Sequence, residues 1–164
     1  VQRLVTWAFE DMRKSVQKEF HKHRRRYFKR SRWLMLKDPE KLTQEQLEQL
    51  SHMLELSEPL AQAYYLLHEF RKFIQSPDVH TAKKRLSDWY MHVGTTDSKE
   101  FERFHKCVET FSKWESEILN AFESGLSNGY TEGCNSKIKV IKRNAYGIRN
   151  FEGLRKRILH VMAN

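Results

Sequence analysis

Apolar residues recur three and four places apart from one end of this chain to the other, and that period constrains the fold more than any other feature. No segment sustains the apolar–polar alternation of a half-buried strand, and only six glycines and three prolines punctuate the 164 residues. The spacing predicts a first helix over 2–22 that turns Val5, Ala8, Met12, Val16 and Phe20 inward. Pro39 breaks the pattern. Thr43-Gln-Glu-Gln46 then has the form of a capping box opening a short helix with Leu47, Leu50, Met53 and Leu54. Ser57 and Pro59 start another, with Leu60, Ala63, Tyr64, Leu67 and Ile74 as its stripe. Ser76-Pro77 restarts the chain, with Val79, Ala82, Leu86, Trp89, Tyr90 and Val93 inward and Gly94 as the stop. A long helix is expected over 99–123, bearing Phe101, Phe104, Val108, Phe111, Trp114, Ile118 and Phe122. Asn150 is placed to cap the last helix, which carries Phe151, Leu154, Ile158 and Met162. The expectation is an all-α helical bundle of antiparallel hairpins.

With 39% hydrophobic residues the chain is long enough for one domain plus an appendage. It begins at Val1, which reads as a fragment of something longer. No apolar run approaches the roughly 20 residues that span a bilayer, and no signal-peptide pattern is present, so a cytoplasmic location and no membrane partner are expected. A net charge of +9 and a pI near 9.6 favour a polyanionic partner. Cys107 and Cys134 are far apart and read as free, buried thiols. His21 and His23, like His105 and Cys107, are two apart and point to different sides of a helix, which disfavours zinc.

Between His21 and Lys37, Tyr27, Phe28 and Trp33 interleave with Arg24, Arg25, Arg26, Lys29, Arg30 and Arg32. Such a stretch can track phosphates and stack on exposed bases. It equally fits aromatics facing a core and cations facing water, because Phe28, Trp33, Leu34 and Leu36 are natural core material.

Over 128–150 a single carboxylate, Glu132, heads a segment whose other charges, Lys137, Lys139, Lys142, Arg143 and Arg149, are all positive. On a helix Cys134, Ile138, Ile141 and Ala145 share one apolar stripe. Glu132, Asn135, Lys139 and Arg143 fall opposite. An acid alone among cations can bind a metal ion that also touches a phosphodiester whose backbone the cations hold. It can also be an ordinary amphipathic helix with an acid complementing its N-terminal dipole.

The run Asn128-Gly-Tyr-Thr-Glu-Gly, Asn135, Lys137-Ile-Lys139, Lys142-Arg143, Ala145-Tyr-Gly and Arg149-Asn-Phe151 resembles the C-terminal signature of bacterial insertion-sequence transposases of the DDE class, ISL-three family. Weaker similarity runs through Val1 to Phe9, Tyr27 to Ser31 and Lys83 to Leu86. The resemblance implies that Glu132 is the third catalytic carboxylate of an RNase-H-like core. In such enzymes three carboxylates hold two Mg²⁺ or Mn²⁺ ions about 4 Å apart, which here belong to the full-length protein only. It also implies double-stranded transposon ends as partner, with Asn135, Lys137, Lys139, Lys142, Arg143 and Arg149 contacting DNA. Residues 1–24 would be a core-associated helix, 25–124 a helical insertion domain and 125–164 the C-terminal helices with the catalytic glutamate, the core strands missing. The resemblance further implies that the chain starts just after the second aspartate, with both aspartates upstream. Asp11, Asp38, Asp78, Asp88 and Asp97 match no part of the family pattern. The chain alone is therefore expected to be inactive. Two other classes compete: a non-catalytic helical nucleic-acid-binding module, and an interaction bundle whose middle section pairs two subunits as a homodimer.

Overall fold

The computed structural model describes residues 1–20, 28, 31–97, 99–124, 129–145, 147 and 150–163. Among them every regular element is helical, in two compact units, Val1–Ser124 and Gly125–Asn164. The first unit runs α1 (Gln2–Glu19), α2 (Ser31–Leu36), a 3-10 turn (Pro39–Lys41), α3 (Gln44–Glu55), α4 (Glu58–Ile74), α5 (Val79–Gly94), α6 (Glu102–Lys113) and α7 (Glu115–Ser124). The second holds α8 (Gly129–Arg143) and α9 (Phe151–Ala163).

Helix α4 is the centre of the first unit, in contact with α1, α3 and α5. Its position explains its composition: Leu60, Ala63, Leu66, Leu67, Phe70 and Phe73 are all buried, a wider face than one stripe. Around Phe70 the rings of Phe73, Trp89 and Phe111 lie with centroids 5.2, 5.0 and 5.3 Å away. Trp89 is fully enclosed, and its indole N–H donates to the Leu66 carbonyl at 2.9 Å, so its one polar atom is satisfied. Helix α1 lies against α4 and α6 on Val5, Ala8, Phe9, Met12 and Val16.

The helix starts follow local chemistry. Thr43 and Gln46 form the reciprocal capping box, and Ser57 Oγ accepts from the Leu60 amide. At the next start Asp78, rather than Ser76-Pro77, is the cap, its Oδ1 accepting from the Thr81 amide at 2.8 Å. Helix α1 ends at Glu19, short of residue 22, because Phe20 turns to extended backbone and stacks on Phe28 at 4.7 Å.

The long helix expected over 99–123 is two helices. Its start is a turn in which Asp97 Oδ1 accepts from the Lys99 and Glu100 amides. The ladder then breaks at Trp114 (φ −115°, ψ 21°), which is 58% exposed rather than core. The break lets α6 seat Phe104 and Phe111, while α7 buries Leu119 and sends Phe122 to Phe73, 5.4 Å away. Trp33 and Leu47 are likewise exposed, since Leu34, Met35, Leu50 and Met53 fill the inward sites of α2 and α3.

In the second unit α8 and α9 pack as a pair joined through Gly147, whose φ of +86° suits a residue without a Cβ. Helix α8 ends at Arg143, four residues before Gly147. Asn150 caps α9 as expected, its Oδ1 accepting from the Gly153 amide. Leu154, Ile158 and Met162 are half-buried, but Phe151 is 74% exposed.

Candidate functional site

Helix α8 divides its faces as its spacing demands. Ile141 is buried, and Cys134, Ile138 and Ala145 are half-buried along one stripe. Glu132, Asn135, Lys137, Lys139, Lys142 and Arg143 are exposed. Arg149 lies outside the described residues, as do Asn128 and the basic positions 24–26, 29 and 30. The two ends of the helix are charged in the sense its dipole favours, Glu132 in the first turn and Lys142 and Arg143 in the last. From Glu132 to Arg143 the face extends about 16 Å along the axis at 1.5 Å per residue.

Glu132 has no hydrogen bond or ion pair to any described residue, and the same holds for Lys137, Lys139, Lys142 and Arg143. The carboxylate is therefore open to a cation from solvent, and the cations to an anionic backbone. Beside it Gly133 occupies a helix interior, where glycine is about 1 kcal/mol worse than alanine. A Cβ there would meet nothing within 4 Å, so no described residue near it calls for glycine. The pattern of charges alone does not single Gly133 out.

Four of the five aspartates have other employment. Asp38, Asp78 and Asp97 accept from backbone amides at turns and helix starts, and Asp11 pairs with Arg103. No group of three His, Cys, Asp or Glu among the described residues is arranged to share a metal ion. Mg²⁺ holds a near-octahedral oxygen shell, keeps several of its waters and is retained with the help of further ligands, so Glu132 offers one ligand and not a complete site. Both cysteines are free; burial pushes the Cys107 thiol up to about 11, and Cys134 is half-buried. No described helix is long and apolar enough to cross a membrane.

A charge that the periodicity did not reveal lies inside the first unit. Glu10 and Arg13 are both buried and form a two-pronged pair, with Arg13 Nε and Nη2 each 3.1 Å from a carboxylate oxygen. Arg32 Nε adds a third bond at 3.0 Å. Two residues three apart on α1 signal such a pair, but its burial does not show in spacing.

An all-helical chain with a basic, carboxylate-headed helix of this sequence belongs among the transposases of bacterial insertion sequences. Residues 1–158 match a family model described as transposase, that of the ISL-three DDE group, and the chain belongs to that family. It is 32% identical over 130 residues to a Bordetella parapertussis transposase for insertion sequence element IS1001, covering 78% of this chain and 31% of the relative. It is 28% identical over 133 residues to a Mycobacterium tuberculosis transposase for insertion sequence element IS1557, covering 81% of this chain and 29% of that protein. A shorter similarity, 43% over 58 residues, is to a Lactococcus lactis protein named ATP-dependent protease and covers 35% of this chain and 19% of the relative. The chain thus spans about a third or less of the length of these curated relatives. No solved structure matches it.

Proposed function

We propose that this chain is the C-terminal part of a DDE transposase that cuts and joins DNA strands with the help of divalent metal ions. Residues 125–164 present the catalytic glutamate, 25–124 form a helical insertion and 1–24 a helix that belongs with an RNase-H-like core. Glu132 is one metal ligand, and the remaining carboxylates come from outside these residues. Asn135, Lys137, Lys139, Lys142, Arg143 and Arg149 hold the sugar-phosphate backbone of the transposon end. The observation that carries this is Glu132, exposed and with no hydrogen bond or ion pair to any described residue, at the head of an otherwise basic helix face.

Because one carboxylate does not make a magnesium site, what the chain's own residues do is bind and orient DNA. Mg²⁺ or Mn²⁺ belongs to the full-length enzyme, where it would be held by the complete carboxylate set. Changing Glu132→Gln in that enzyme removes the ligand charge and keeps the shape. Strand cleavage should fall by at least about a hundredfold while end binding in a gel-shift assay stays within about threefold. Cleavage at the wild-type rate removes Glu132 from the catalytic set.

The exposed cations of α8 also support a non-catalytic nucleic-acid-binding module. That reading predicts that Glu132→Gln changes nothing in the full-length protein. Both readings predict affinity that falls with salt by a log–log slope of about −0.9 per neutralised duplex phosphate. A homodimer is compatible with either, and a sedimentation mass would reveal it.

A further inference from the structure

The basic stretch before α3 carries two classes of aromatic that the fold separates. Phe28 is fully buried, as are Leu34 and Met35 of α2, while Trp33 between them in sequence is 53% exposed. The exposure is not slack in the helix. Ser31 Oγ donates to the Phe28 carbonyl at 2.6 Å, Arg71 Nη2 donates to the Leu36 carbonyl at 2.8 Å, and Leu34 and Met35 are seated in the core. The indole is thus held outward by a fixed backbone.

Charge sets Trp33 apart from the other exposed tryptophans. From Phe20 to Lys37 the chain has no acidic residue. Trp114, by contrast, precedes Glu115 and Glu117, and Trp7 precedes Glu10 and Asp11. Lys37 Nζ lies over the Trp33 ring, 6.0 Å from its centroid, and also donates to Gln46 Oε1 at 3.2 Å. The Arg32 side chain is 61% exposed, with only its Nε engaged by Glu10. Glu10 is already matched by Arg13, so Arg32 leaves an excess positive charge at the patch. Asp38, the next acid, accepts from the Glu40 amide in the following turn.

An outward indole flanked by cations has the two parts a single strand needs: a flat face for a base and charges for the phosphates on either side. Along a paired duplex the base faces are already stacked, so it presents such a surface with phosphates and groove edges but no free base face. The geometry points to Trp33 as a stacking platform for an unpaired base of DNA, with Arg32 and Lys37 on the adjoining phosphates. This rests on the DNA-binding reading above and adds to it a second contact surface, on the first unit, selective for unpaired nucleotides.

Fluorescence anisotropy with the 164-residue chain tests it, using a labelled duplex and the same labelled strand alone. Trp33→Ala should weaken the single strand about tenfold and the duplex by less than about twofold, in line with the loss of one base stack. Trp33→Phe should restore most of the single-strand affinity, and Trp114→Ala should alter neither. If Trp33→Ala leaves both affinities unchanged, or weakens both equally, the stacking role is overturned while duplex binding, and with it the DNA reading, stands. A change in sedimentation mass without a change in DNA affinity would make Trp33 a protein contact and overturn it too. If the wild-type chain binds neither probe, both inferences fall.

Discussion

His68 shows how far burial can move one side chain here. Its ring lies 4.2 Å from the Tyr64 ring centroid, and Nε2 is 3.4 Å from the Met35 carbonyl. Burial first, then the Arg71 guanidinium, bring its pKa down to about 4; the Met35 carbonyl and then Asp38 oppose, and Lys72 adds a little in the lowering sense. The folded chain therefore resists a proton that the unfolded chain accepts below about 6.5. Stability from this residue is fully present above that value and is lost as pH falls towards 4. The melting temperature should decline across this window, and His68→Phe should flatten the decline relative to wild type. An unchanged pH profile in the variant would show that His68 is not held neutral. The same scale explains the tolerated interior charge: Glu10 and Arg13 satisfy each other with two hydrogen bonds, so neither is an unpaired buried ion.

At the scale of the helix, the signals that act within one turn were legible and those that act across the bundle were not. Thr43 with Gln46, Ser57 and Asn150 cap their helices through their own side chains, a matter of three residues in each case. The two faces of α8 also follow from spacing alone, with Ile141 inward and Glu132, Asn135, Lys139 and Arg143 outward. The break at Trp114 carries no such signal, because apolar spacing runs through it; the need to seat both Phe111 and Phe122 around α4 imposes it. Gly133 allows a test at this level. Its neighbourhood is open and its φ is not positive, so Gly133→Ala should strengthen α8 by about 1 kcal/mol and raise the chain's helicity on heating. A less helical variant would contradict the environment described for Gly133.

For the whole molecule, the decisive fact is that one carboxylate of a proposed set is present and exposed. Calorimetric titration of the 164-residue chain with Mn²⁺ should give weak or no heat of binding, because a single monodentate ligand leaves most of the ion's waters in place. Tight one-to-one binding would instead mean that the chain contains a complete site. Local periodicity and capping determined from the sequence alone that this chain is helical, where most helices begin, and which side of α8 carries Glu132. Only tertiary structure decided that Phe9, Leu66, Phe70 and Phe73 join the core while Trp33, Trp114 and Phe151 face water, and that Glu10 and Arg13 are enclosed together. The reason is physical. A 3.6-residue repeat is written into each helix by itself, but burial depends on which helix lies opposite, and those partners stand tens of residues apart along the chain.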